Sequence, residues 1–171
     1  MKKVAVFGNT GGGKSTLSQK LAEITNLPLY PLDLIQYEVG GKEVKYQDYR
    51  QSHARIINSE KWIVDGFGSM ETLWQRLEAA DTLIYLDLPL QIHFFWVTKR
   101  LIKSIFKKPE AWPENSPILK STFNCYRTLW LCHTRLTPKY REYISKASQT
   151  KQVYHLKSRS DISGFFKAME L

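Results

Sequence analysis

Val4-Ala5-Val6-Phe7, followed without a break by Gly8-Asn9-Thr10-Gly11-Gly12-Gly13-Lys14-Ser15, is the stretch on which the reading of this chain turns. The four apolar residues predict a buried strand, and Leu17, Leu21 and Ile24 at helical spacing predict an amphipathic helix over 14–25. Between them stands a complete G-x-x-x-x-G-K-[ST] pattern. Glycines let successive backbone N–H groups turn inward around phosphate oxygens, and the helix start adds the positive end of its dipole. Lys14 supplies a mobile point charge for the β- and γ-phosphates, and the Ser15 hydroxyl suits Mg²⁺. Gly8 to Thr16 is therefore expected to bind a nucleoside triphosphate, with ATP and Mg²⁺ as cofactors. A glycine-rich turn that only joins a strand to a helix is the plainer alternative, and it leaves the coincident Lys and Ser unexplained.

Outward from this point, short apolar runs alternate with longer helical segments, which predicts an α/β domain on a parallel sheet. Further strands are expected at 27–30, 62–64, 82–86 and 153–156. Helices are expected at 46–58, from a Ser69 cap through Glu78, at 91–106, 118–134 and 138–147, and from about Asp161 onward. Pro109, Pro113 and Pro117 predict a loop over 107–117. With no internal repeat or low-complexity tract, residues 1–171 are expected to form one domain with insertions.

Lys and Arg number 25 against 16 Asp and Glu, a net charge of +9, and the excess is uneven. Residues 1–86 hold 10 basic and 10 acidic side chains, residues 87–171 hold 15 and 6, and within 99–159 the tally is 14 against 3. An anionic ligand is thus expected in the second half. Lys99, Lys103 and Lys107 recur every four residues with Arg100 beside them, while Phe94, Phe95, Trp96 and Phe106 take other faces. A solvated basic face over a packed apolar one is the alternative.

Apolar residues at 43% and aromatics at 13% exclude a disordered chain. Cys125 and Cys132 lie about 10 Å apart along a predicted helix, too far to bridge, and read as two thiols in a reducing cytoplasm. The apolar runs are too short for a membrane span, and Val4 to Phe7 is too short for a signal peptide. His53, His93, His133 and His155 show no ligand spacing with the cysteines, so no transition metal is expected. The missing Asn-Lys-x-Asp guanine motif argues against a signalling GTPase, and 171 residues are few for a motor or helicase ATPase. A small kinase, which needs only an acceptor pocket and a basic lid, fits better.

Gly8 to Thr16, Asp65-Gly66-Phe67 after one strand and Leu86-Asp87-Leu88-Pro89 after the next resemble the adenylate kinase/shikimate kinase-type P-loop family. Within it, Leu32-Asp33, Trp62-Ile63-Val64-Asp65-Gly66 and Arg76-Leu77-Glu78-Ala79-Ala80-Asp81 are most similar to adenylate-kinase-related proteins often labelled DNA topology modulation proteins (FlaR-like). The resemblance implies a three-layer P-loop NTPase fold with a five-stranded parallel sheet of order 2-3-1-4-5, nucleotide at its carboxyl edge and a helical lid insertion. It places Asp65 on Mg²⁺ through water, as a carboxylate beside the loop serine suits a hard cation. A strand-end Asp capping a turn is the competing reading.

Asp33 would face the acceptor hydroxyl, unless it is only a turn former after Pro31. The acceptor-binding segment would be about 31–60 and the lid region about 99–117, with Arg100 neutralising the transferred phosphoryl group. Arg127, Arg135 and Arg141 are later candidates to join it. Ser158-Arg159-Ser160 would meet the base, or simply cap the last helix. Asp87 is expected to be structural, capping helix 91–106. The chain departs from the family where Gly68-Ser69 replace a Pro-Arg pair whose arginine grips an acceptor phosphate. Arg50, Arg55 and Arg76 are the possible substitutes, against the alternative of ordinary surface charge.

Three functions are thereby set against one another. The first is a kinase passing the ATP γ-phosphate to a small hydroxyl or phosphate acceptor of nucleoside or nucleotide type, with Lys14, Asp33 and Arg100 as catalytic residues. The second is a nucleotide-binding, DNA-associated regulatory protein without efficient kinase activity. The third lays helix 91–106 on an anionic membrane surface.

Overall fold

In the computed structural model, which describes residues 1–38, 41–106 and 118–169 (backbone alone at 100, 103–106 and 118–123), alternate residues of strand β1 (Lys3–Gly8) enter opposite cores. Val4 and Val6 pack with Leu17 and Leu21 of helix α1 (Lys14–Thr25). Ala5 and Phe7 belong to the other core, with Leu73 and Leu77 of α4 (Met70–Ala79). The two-residue period of a strand with both faces covered explains why β1 reads as an unbroken apolar run.

β1 is the middle of a five-stranded, all-parallel sheet with β2 (Leu29–Pro31), β3 (Trp62–Asp65), β4 (Thr82–Leu86) and β5 (Gln152–Leu156), in the order β2-β3-β1-β4-β5. Register sets Val6 level with Asp65 and Gly8 level with Leu86, so the glycine loop and the end of β3 open on the same carboxyl edge. α1 and α8 (Arg159–Met169) cover one face. α3 (Tyr46–Asn58), α4 and α7 (Thr137–Ala147) cover the other, which makes the expected three layers.

The bounds of α1, α3 and β4 coincide with those expected. α2 (Leu32–Gln36) was not expected, because five residues carry too little period to read. α5 (Leu90–Phe106) and α6 (Ile118–Arg135) stand on either side of 107–117. That segment lies outside the described residues, as do the side chains of Arg100, Lys103 and Lys107. No helix among the described residues is long and apolar enough to cross a membrane.

The amino edge of the sheet is stitched by two charges. Asp81 Oδ2 accepts the backbone N–H groups of Lys2 and Lys3 at 2.8 and 2.9 Å. Lys151 Nζ donates to the carbonyls of Leu77 (2.9 Å), Glu78 (2.5 Å) and Ala80 (3.0 Å), satisfying the open end of α4. Ser69 caps the other end of α4, its hydroxyl accepting the Thr72 N–H while Thr72 Oγ1 accepts the Ser69 N–H. This is a capping box with Thr in the usual Glu position.

Candidate nucleotide and acceptor site

Between β1 and α1 the chain turns through two glycines in the left-handed region, Gly11 (φ 66°) and Gly13 (φ 79°). Both are also crowded by α5. A Cβ on Gly11 would lie 2.5 Å from Val97 Cγ2, and one on Gly13 would lie 3.0 Å from the Trp96 ring. His93, one turn earlier, has its Nδ1 2.9 Å from the Thr10 carbonyl, and since a carbonyl only accepts, Nδ1 carries the proton. Burial lowers the His93 pKa, so the ring stays neutral in this contact. The face His93-Trp96-Val97 thus lies on the glycine loop, at i, i+3, i+4 spacing that was legible in the sequence although its target was not.

Asn9 ties the same loop to α6. Its Nδ2 donates to Leu129 O at 3.0 Å and its Oδ1 accepts the Thr10 N–H at 2.8 Å. Lys14 Nζ donates to the Asn9 carbonyl at 2.9 Å. Among the described residues, this neutral carbonyl is the acceptor that holds the ammonium.

Asp65, at the end of β3, is 3% exposed, and its Oδ1 has no hydrogen-bond partner. Ser15 lines the same pocket beside this carboxyl and favours its charged form. Burial pushes the Asp65 pKa up, against the pull of Lys14 and Ser15, and Asp33 adds to the rise. An orphaned carboxylate oxygen beside a serine hydroxyl is a hard-oxygen donor pair of the kind Mg²⁺ takes when phosphates and water complete its shell. No group of three or more His, Cys, Asp or Glu suited to a metal occurs among the described residues. A pocket joins these groups, lined by Ser15, Asp33 and Asp65 together with Gln19, Leu32 and Leu34. Asp33 lies in the first turn of α2, not in a bare turn after Pro31.

Arg76 corrects the expectation of either an acceptor ligand or a surface charge. It is fully buried, and its Nη2 donates to Gly66 O at 2.7 Å and Phe67 O at 3.2 Å. Its place in the stripe Leu73-Arg76-Leu77-Ala80 is a core-facing i, i+3, i+4, i+7 pattern, and that signal identifies it as buried. Burial lowers its pKa, opposed by nearby Tyr49, Tyr140, Asp65 and Asp33. Arg50 pairs with Glu71 at 2.9 Å, and Arg55 is exposed near the end of α3.

Asp87 is structural, but its carboxylate does not serve α5. It accepts Arg141 Nε and Nη2 at 2.7 and 3.0 Å, His155 Nε2 at 2.8 Å and the Tyr85 hydroxyl at 3.2 Å. Burial raises its pKa, and the bonds from Arg141 and His155 outweigh that and hold it below the ordinary value. Arg141 is therefore anchored and not a spare lid arginine, while Arg127 and Arg135 are exposed on α6. Ser158 caps α8 through a reciprocal pair of bonds with Asp161, and the Arg159 guanidinium lies 5.2 Å from the centre of the Trp96 ring. Cys125 and Cys132 are not joined in a disulfide.

Sheet order, the glycine loop after β1 and the covering helices define a P-loop NTPase fold. Solved structures with this fold include a shikimate kinase from Acinetobacter baumannii in complex with shikimate, with a TM-score of 0.60 at 14% identity, covering 99% of this chain and 93% of that one. A sugar kinase from Janibacter sp. HTCC2649, unliganded, has a TM-score of 0.52 at 17% identity, covering 99% and 95%. No protein-family model and no curated protein sequence matches the chain. The fold is common ground with both neighbours, whereas the narrower likeness to DNA topology modulation proteins rests on the sequence motifs alone.

Proposed function

We propose that this protein is an ATP-dependent, Mg²⁺-requiring phosphotransferase acting on a small hydroxylated acceptor of nucleoside type, in the cytoplasm. One observation carries the reading: Ser15, Asp33 and the buried, half-unpartnered Asp65 carboxyl line one pocket beside the glycine loop. Backbone N–H groups of Gly8 to Thr16 cradle the triphosphate, and Lys14 leaves the Asn9 carbonyl for a phosphate oxygen. Ser15 and Asp65 would hold Mg²⁺, which would supply charge neutralisation to the phosphates. Asp33, in the acceptor segment 31–60, orients the acceptor hydroxyl and takes its proton. The acceptor oxygen bonds to the γ-phosphorus as the bridging oxygen leaves with ADP. Arg100 would neutralise the charge developing on the transferred group.

The test is Mg²⁺-dependent ADP release from ATP with nucleosides, nucleotides and other hydroxylated metabolites as acceptors. Release that depends on one acceptor class supports the reading. Tight ATP binding with no acceptor-dependent release from any of them refutes it.

A further inference from the structure

We infer that His93 is a positioning residue for nucleotide binding: from α5 it fixes the peptide that follows Thr10, so that the Gly11 N–H faces the phosphates. This rests on the reading of Gly8 to Thr16 as a phosphate loop, and adds to it a residue from outside the loop. His93 is 2% exposed, and its Nδ1 donates to the Thr10 carbonyl at 2.9 Å, across 83 residues of sequence. The Thr10 carbonyl and the Gly11 N–H belong to one planar trans peptide and point in opposite directions. Drawing the carbonyl to α5 therefore turns the N–H away from α5, to the side of the loop that this helix leaves uncovered.

The glycines between Thr10 and Lys14 record how closely α5 is set against the loop. The pattern G-x-x-x-x-G-K-[ST] asks nothing of positions 11 and 12, yet both are glycine here. Gly12 has no positive φ, so its backbone would accept a side chain. A Cβ there would meet the His93 ring, with Cε1 at 2.8 Å and Nδ1 at 3.3 Å, and the Asn9 carbonyl oxygen at 3.1 Å. Val97 and Trp96 stand equally close over Gly11 and Gly13. Those two contacts are apolar and set a distance, whereas the His93 hydrogen bond sets a direction. A peptide free to flip at this point would turn a carbonyl toward a phosphate oxygen for part of the time, and affinity would fall by that fraction.

The experiment compares two replacements of the same branched shape. His93→Asn keeps an N–H donor on an atom bonded to Cγ, as in the imidazole, and His93→Leu has no donor. Affinity of the full chain for a non-hydrolysable ATP analogue with Mg²⁺ is measured by calorimetry, at a temperature at which circular dichroism shows each variant folded. His93→Leu is expected to bind at least about tenfold more weakly than the unaltered chain, and His93→Asn within about threefold of it. A purely structural role would move the melting temperatures and leave both affinities alone, and that result overturns the inference. Equal loss of affinity in both variants also overturns it, because the ring and not its donor would then be responsible. Where His93→Leu does not fold, the imidazole ¹⁵N shifts of the unaltered chain decide: an Nδ1–H tautomer supports the inference and an Nε2–H tautomer overturns it. An unaltered chain that binds no analogue refutes the phosphate-loop reading itself, and this inference with it.

Discussion

The carboxamide of Asn9 reaches a backbone carbonyl 120 residues away, donating from Nδ2 to Leu129 O at 3.0 Å, while its own oxygen accepts the next N–H in the glycine loop. The loop and α6 are therefore one hydrogen-bonded unit. Asn9→Asp keeps the acceptor, removes the donor and adds negative charge where phosphates bind. It is expected to weaken affinity for an ATP analogue at least about tenfold. Asn9→Ala removes both hydrogen bonds and should cost roughly 1–3 kcal/mol of stability. Titration and urea unfolding of the two variants check both statements, and unchanged nucleotide affinity in Asn9→Asp contradicts the first.

Asp65 is a carboxyl whose charge burial disfavours and whose chemistry requires it. Asp65→Asn keeps the shape and removes the charge, so the melting temperature without Mg²⁺ should hold or rise while Mg²⁺-dependent transfer is lost. Lys14→Ala, by contrast, should abolish triphosphate binding outright. A melting scan beside an ADP-release assay separates the two effects. A sharp fall in melting temperature for Asp65→Asn argues that the carboxylate is a structural anchor.

Lys151 satisfies three carbonyls at the end of α4 and is half-buried. Lys151→Met retains the stem and removes the donors, and about 1–3 kcal/mol of stability should go with them. In a chain of 171 residues each kcal/mol corresponds to roughly 2–4 °C of melting temperature. A loss within error of zero contradicts the assignment.

His53 is sealed in the core with neither ring nitrogen hydrogen-bonded, and burial pushes its pKa down from 6.5 to about 4. The unfolded chain takes up a proton below about pH 6.5, and the folded chain takes it up only near pH 4. Stability therefore falls as pH is lowered through that window, by up to about 3 kcal/mol from this residue. His53→Phe should flatten the slope of unfolding free energy between pH 6.5 and 4. An identical slope in the variant locates the pH dependence elsewhere.

What could be read in advance followed local periodicity. α1, α3 and β4 announce their bounds through apolar spacing and flanking turn residues, and the glycine loop is legible because each of its positions answers a steric or electrostatic need. α2 escaped because five residues hold little more than one turn. The meeting of His93, Trp96 and Val97 with the loop escaped for another reason. Their shared face is local, but its target depends on the angle at which α5 leaves β4, and that is set by packing across the sheet. Arg76 shows the opposite case, in which charge suggested a surface position against a stripe that already placed it inside.

The two edges of the sheet differ in a way that bears on how such a protein can change. At the amino edge every charge named here is saturated: Asp81 holds Lys2, Lys3 and Thr82, and Lys151 holds α4. At the carboxyl edge Asp65 Oδ1 and Arg76 Nε and Nη1 are left without partners. The amino rim thus carries satisfied charges, whereas the carboxyl rim carries both kinds: Asp87 is bonded by Arg141, His155 and Tyr85, and the unsatisfied atoms belong to Asp65 and Arg76. A substitution at the exposed Leu34 can therefore change the unsatisfied end of the sheet without touching the bonds of Asp81 and Lys151.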